Sequence, residues 1–294
     1  MNPPMNAIIC DGDELIAVAA DDDMLLLDGM PATIEESVFF SKPAEPAVPE
    51  QILILGWNEN ALFIIRELDH YVADGSGITV VSDIAEAKPA LRRVERALEH
   101  ARVKLVEEDI TSRSNLDMLL SNEFPHIILL SDRSQADVQK ADANTLMTLL
   151  HLRNIAETTG KQFSIVSEML DVRNSRLADV AKVNDFIVSD TIISLLMAQV
   201  SENPVLNAVF EDIFDADGSE IYLKPVEQYV RVGEPVTFYA VVESARRKGE
   251  SAFGYTIAKQ SSGAQASGGV YVNPVKSKSI RFEQGDRIIV VAEK

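Results

Sequence analysis

Between Gln51 and Ser189 short apolar runs alternate with amphipathic stretches, and no other feature narrows the possible folds as much. The runs are 52–55, 78–81, 103–106, 126–130, 163–166 and 186–188, with one helical stretch running to about His70 and a charged one at 91–100. Strands separated by helices give a parallel sheet covered on both faces. The expectation for 51–190 is therefore an α/β, Rossmann-like, doubly wound parallel sheet.

Beyond it, residues 191–200 are apolar on most sides and 204–214 are amphipathic, which predicts two helices over 191–215 that bury against something outside the sheet. They are candidate dimer-contact helices, with Ile192, Ile193, Leu196 and Met197 among the apolar residues of the first. Residues 216–294 read as a smaller α+β lobe: strands at 221–223, 252–257, 269–272 and 288–292, a helix at 236–246, and a loop at 261–269. The Gly12-Asp13 turn and the apolar run after it return at the other end as Gly285-Asp286 and its run. That predicts that 1–40 are the tail of a preceding, truncated domain and that the natural protein continues N-terminally. Between the two, 41–50 carries Pro43, Pro46 and Pro49, the spacing of an extended tether.

Charge and cysteine content exclude several classes. A formal net charge of -19 makes the surface an anionic field that repels nucleic acid and concentrates divalent cations. Cys10 stands alone, so no intrachain disulfide or cysteine-type zinc site forms, and a reducing, cytosolic compartment is expected. No apolar run approaches the roughly 20 residues a membrane-spanning helix needs. Any membrane function must come from another segment or a partner.

The first strand opens into Gly56-Trp57-Asn58-Glu59-Asn60-Ala61, where a dinucleotide turn has Gly-x-Gly-x-x-Gly or Ala. Asn58 replaces the second glycine and Glu59 brings negative charge, so the turn is degenerate. Trp57 reads as packing on the sheet edge or as a base-stacking platform. Asp83 ends the second strand, where an acidic residue bonds a ribose; Asp109 and Thr111 follow the third, Asp132 and Ser134 the fourth, Glu168 the fifth. Gly56, Trp57, Asn58, Asp83, Asp109, Asp132 and Glu168 are thus the candidate ligand residues. The four carboxylates Asp83, Asp109, Asp132 and Glu168 form a candidate site for Ca2+ or another divalent cation. Helix capping by the same Asp and Ser residues is the competing reading. His70, His100, His126 and His151 are scattered, and no nucleophile–base or phosphate-loop motif occurs. An enzyme is disfavoured, with an NAD-dependent oxidoreductase as the alternative.

Gly56-Trp57, the helix 141–153, the stretch 167–173, residues 185–189, Tyr222-Leu223-Lys224-Pro225, Pro235-Val236-Thr237-Phe238 and the closing Gly285-Asp286 strand together resemble the Castor/Pollux ion channels. The resemblance implies regulator of K+ conductance (RCK) domains: a Rossmann-like lobe, crossover helices for dimerisation and a smaller C-terminal lobe. It further implies four chains in a ring on the cytoplasmic side of a membrane, beneath a pore-forming transmembrane segment absent from this chain. Ca2+ or another ligand, such as NAD or an adenine nucleotide, would there regulate cation (K+ or Ca2+) transport. Asn58-Glu59-Asn60 stands where plant relatives tend to carry basic residues, which implies a different ligand.

Overall fold

A computed structural model describes residues 6–13, 16–18, 34, 36–43, 46–135, 137–174, 186–215, 218–258 and 269–293. Most of the 261–269 loop lies outside the described residues. The chain divides into two compact units, Pro46–Pro204 and Met1–Glu45 together with Val205–Lys294.

The first unit holds β1 (Gln51–Leu55), α1 (Ala61–Tyr71), β2 (Ser76–Val81), α2 (Ala87–Val94), β3 (Ala101–Val106), α3 (Arg113–Leu119), β4 (His126–Leu129), α4 (Val138–Thr159), β5 (Ser164–Met169), β6 (Phe186–Val188) and α5 (Ser189–Glu202). Its strands form one sheet in the order β3-β2-β1-β4-β5-β6, and every adjacent pair is parallel. The order reverses between β1 and β4, the place where doubly wound sheets open a crevice at the strands' carboxyl ends. Successive side chains of a strand point to opposite faces. Accordingly Leu53 and Leu55 enter a core with α3 and α4, while Ile52 and Ile54 enter a second with α1 and α2.

The charged helix expected at 91–100 starts and stops earlier, at Ala87 and Val94. Pro89 fits a first turn, where its missing N–H costs nothing. The far end is pulled out of the helix by the buried Asp69 of α1, whose carboxylate accepts the backbone N–H groups of Glu99, His100 and Ala101 at 2.7, 3.0 and 2.6 Å. Burial disfavours the charged form of Asp69, yet the three amides outweigh it and hold the acid below the ordinary aspartate range. A depressed native value means stability that is present above the unfolded value and lost as pH falls through the native one. Asp69→Asn is expected to cost about 1–3 kcal/mol at pH 7. In urea melts the gap from the parent should close below about pH 4; a gap unchanged at low pH would contradict this account.

The second unit contains α6 (Leu206–Phe214), β7 (Glu220–Pro225), β8 (Pro235–Thr237), α7 (Phe238–Arg246), β9 (Ser251–Thr256), β10 (Val270–Val272), β11 (Ser279–Arg281) and β12 (Arg287–Ala292). Four strands pair in the order β10-β9-β12-β7, and β11 pairs with β8. The helix expected at 236–246 begins only at Phe238, because Val236 is spent on an antiparallel pairing with Ile280. Tyr229, Phe238 and Phe282, all fully buried, centre the core. Burial and the Glu250 carboxylate, 2.5 Å from its hydroxyl, hold Tyr229 protonated far above neutral pH.

Residues 36–42 lie along 227–231 of this unit. Phe39 forms a β-bridge with Val230, flanked by Arg231 N–H to Val38 O at 3.1 Å, Phe40 N–H to Tyr229 O at 3.3 Å and Lys42 N–H to Glu227 O at 3.1 Å. Arg247 joins in, donating to Glu36 at 2.7 Å and to Glu243 at 2.9 Å with its guanidinium 4.1 Å from the Phe39 ring centroid. Two arginines, Arg246 and Arg247, hold Glu243 down to about 2.

Candidate functional site

The carboxyl edge of the parallel sheet is shaped first by Gly56. Its φ of +90° is open to glycine, and a Cβ there would stand 2.4 Å from the Leu130 carbonyl oxygen. Gly56 N–H donates to Val81 O at 2.9 Å, and Leu130 N–H to Leu55 O at 2.8 Å, so the turn passes tightly between the ends of β2 and β4. Trp57, 7% exposed, packs with the α1/α2 core and also forms part of the cleft wall.

That cleft, about 280 Å³, is lined by Gly56, Trp57, Asp83, Asp109, Asp132 and Lys140 among others. Five of the seven expected ligand residues therefore meet on one wall. Asp109 Oδ1 accepts Thr111 N–H and Oγ1–H, both at 2.8 Å. In the same way Asp132 Oδ1 accepts Ser134 N–H at 3.0 Å and its hydroxyl at 2.6 Å. These two carboxylates shape their loops as well as facing the cleft. Asp83 has no hydrogen bond or ion pair among the described residues.

Asn58 and Glu168 do not line the cleft; they are buried and bound to each other. Asn58 Nδ2 donates to Glu168 Oε2 at 2.7 Å and to Ser131 O at 2.9 Å, while its Oδ1 accepts Asn60 N–H at 3.0 Å. Glu168 Oε2 also accepts Ser131 N–H at 3.2 Å. Glu168 Oε1 takes a two-pronged contact from Arg133, Nε at 3.1 Å and Nη2 at 2.5 Å. Arg133 Nη1 lies 3.7 Å from Glu59. Among the described residues no three His, Cys, Asp or Glu side chains come together to hold a metal ion. The expected set Asp83, Asp109, Asp132 and Glu168 thus shares an edge but is not assembled as a ligand shell: the three aspartates do not converge on one point, and Glu168 is already engaged by the Arg133 guanidinium.

Sequence reasoning missed the contribution of α4. Lys140, Ala141, Asn144 and Thr145 line the cleft; the i, i+4 pairs 140/144 and 141/145 were the available signal. A second concavity of about 670 Å³ also lay beyond the expectations, lined by Val138, Gln139, Leu170, Asp171, Arg173 and Leu195 among others. There the Arg173 side chain and backbone N–H draw Asp171 down to about 2.

No protein-family model matches the chain. The ion channel CASTOR of Lotus japonicus is 27% identical, the alignment covering 100% of this chain and 38% of the relative. POLLUX of the same plant is 28% identical, covering 99% and 35%, and the ion channel DMI1 of Medicago truncatula is 28% identical, covering 88% and 33%. The chain spans about a third of the length of these relatives and matches their C-terminal portion. Among solved structures, the human SLO3 gating ring shares the fold with a TM-score of 0.56 at 12% identity, over 83% of this chain and 44% of the ring chain. No helix among the described residues is long and apolar enough to cross a membrane.

Proposed function

We propose that this chain, a homologue of the Castor and Pollux ion channels, is a gating-ring module that regulates cation flow by binding a small ligand at the carboxyl edge of its parallel sheet. The observation that carries the reading is the alignment with channel relatives along the whole chain. The pore belongs to segments outside it, and the module works on the cytoplasmic side. A ligand shifts a gate only by its differential affinity for the two states of the ring. Two parts of this chain supply what such a device requires: the cleft over β1, β2 and β4, and an apolar helix available to a second copy. On α5, Ile192, Ile193, Leu195 and Met197 are 43%, 53%, 62% and 68% exposed, a concentration that marks an interaction face.

The oxidoreductase alternative gains nothing from the turn, since the Asn60 amide that would meet a cofactor phosphate is held by Asn58. The chain is expected to sediment as a dimer or larger at micromolar concentration, and Ile193→Asp with Met197→Asp to drive it to monomer. A monomeric parent chain, or an association that ignores both substitutions, would remove the ring reading.

A further inference from the structure

In a doubly wound fold a diphosphate rests on the amides of the first strand-to-helix turn, at the positive end of the first helix. Three features of this chain deny it that position. Asn58 places a side chain where a glycine lets the backbone approach the phosphates, and its Oδ1 consumes the Asn60 N–H. Glu59, in the same turn, adds a negative charge. The guanidinium of Arg133 is clamped on Glu168 and lies 3.7 Å from Glu59, so it is committed to carboxylates. A divalent cation fares no better at Glu168: one carboxylate oxygen accepts twice from Arg133, and the other accepts from Asn58 and Ser131.

What the cleft still offers is of a different kind. It holds about 280 Å³, just below the roughly 300–1,000 Å³ usual for ligand pockets, a volume that favours a small ligand. Its wall carries three carboxylates, Asp83, Asp109 and Asp132, against Lys140, with Thr111 and Asn144 as neutral partners. Such a surface accepts hydrogen bonds from hydroxyls and amines and repels a chain of phosphates. Asp83, at the end of β2 and without a partner among the described residues, stands where ribose hydroxyls are bonded in this fold class.

We infer that Asn58 and Arg133 set the ligand class of the cleft: it takes a nucleoside-sized ligand bearing hydroxyls or amines, and neither a diphosphate nor a divalent cation. This rests on the ligand reading of the cleft proposed above. The test is calorimetric titration of the whole chain with adenosine, ADP, NAD+ and Ca2+, followed in parallel by the fluorescence of Trp57, the chain's single tryptophan. Adenosine should bind at least about 10-fold more tightly than ADP or NAD+, Asp83→Asn should weaken it by a similar factor, and Ca2+ should give no response. Asn58→Gly, which frees the Asn60 N–H, should narrow the gap between adenosine and ADP. Should Asn58→Gly fail to fold, the ligand order on the parent chain decides alone. NAD+ or ADP binding as tightly as adenosine, or Ca2+ binding to the parent, overturns the inference and leaves the ligand reading standing. Silence towards all four probes overturns both.

Discussion

Replacing Gly56 by alanine should destabilise the protein by about 3–5 kcal/mol, among the largest effects a single methyl group can have. Two costs add. The φ of +90° is strained for any side chain, and the new Cβ would sit 2.4 Å from a backbone oxygen, that of Leu130, which moves only if β4 moves. The loss is measured by urea denaturation against the parent chain. By the same logic the variant should lose whatever ligand response the parent shows, since Gly56 and Leu130 both line the cleft. A loss under about 1 kcal/mol would mean that the turn relaxes without strain, and the tight passage between β2 and β4 would need another explanation.

A comparable loss, about 3–5 kcal/mol, is expected from Asp142→Ala. Asp142 is fully buried on α4, and its carboxylate accepts Leu170 N–H at 2.9 Å, Asp171 N–H at 3.0 Å and Asn174 Nδ2 at 2.7 Å. Removing it strands the two backbone donors and leaves Asn174 with Gln139 alone, where β5 hands over to the helical residues 172–174. The thermal midpoint should fall by roughly 10 °C, and limited proteolysis near 170–174 should speed up. Asp142→Asn keeps one accepting oxygen and should recover part of the loss. Equal stability of the alanine and asparagine variants would show that burial alone, not these hydrogen bonds, makes the position sensitive.

Much of the fold could be read from the residues because the signals are local and repeated. Six apolar runs separated by helical spacing give one sheet, and β1 to β6 fall where those runs do, with no end displaced by more than three residues. The errors came from distance. α2 ends early because Asp69, some 30 residues away, captures the amides at 99–101, and β8 exists only through its pairing with β11, more than 40 residues on. The site divides in the same way. Asp83, Asp109 and Asp132, picked out by their strand-end positions, all line the cleft, since the end of a strand is a local property. Glu168 was expected to reach for a cation from solvent, whereas it had found one 35 residues away in Arg133; side-chain direction, not spacing, made that choice.

The contacts of residues 36–42 with 227–231 turn the N-terminal side of the chain into a tension member. Hydrogen bonds between antiparallel segments lie across the strand direction, so a pull along 36–42 loads those made by Val38, Phe40 and Lys42 together rather than one after another. The anchor is Arg247, which grips Glu36, Glu243 and the Phe39 ring at once. A displacement arriving from upstream would therefore be delivered to α7 and the Tyr229 core as a rigid haul, with little slack for the strap itself to absorb.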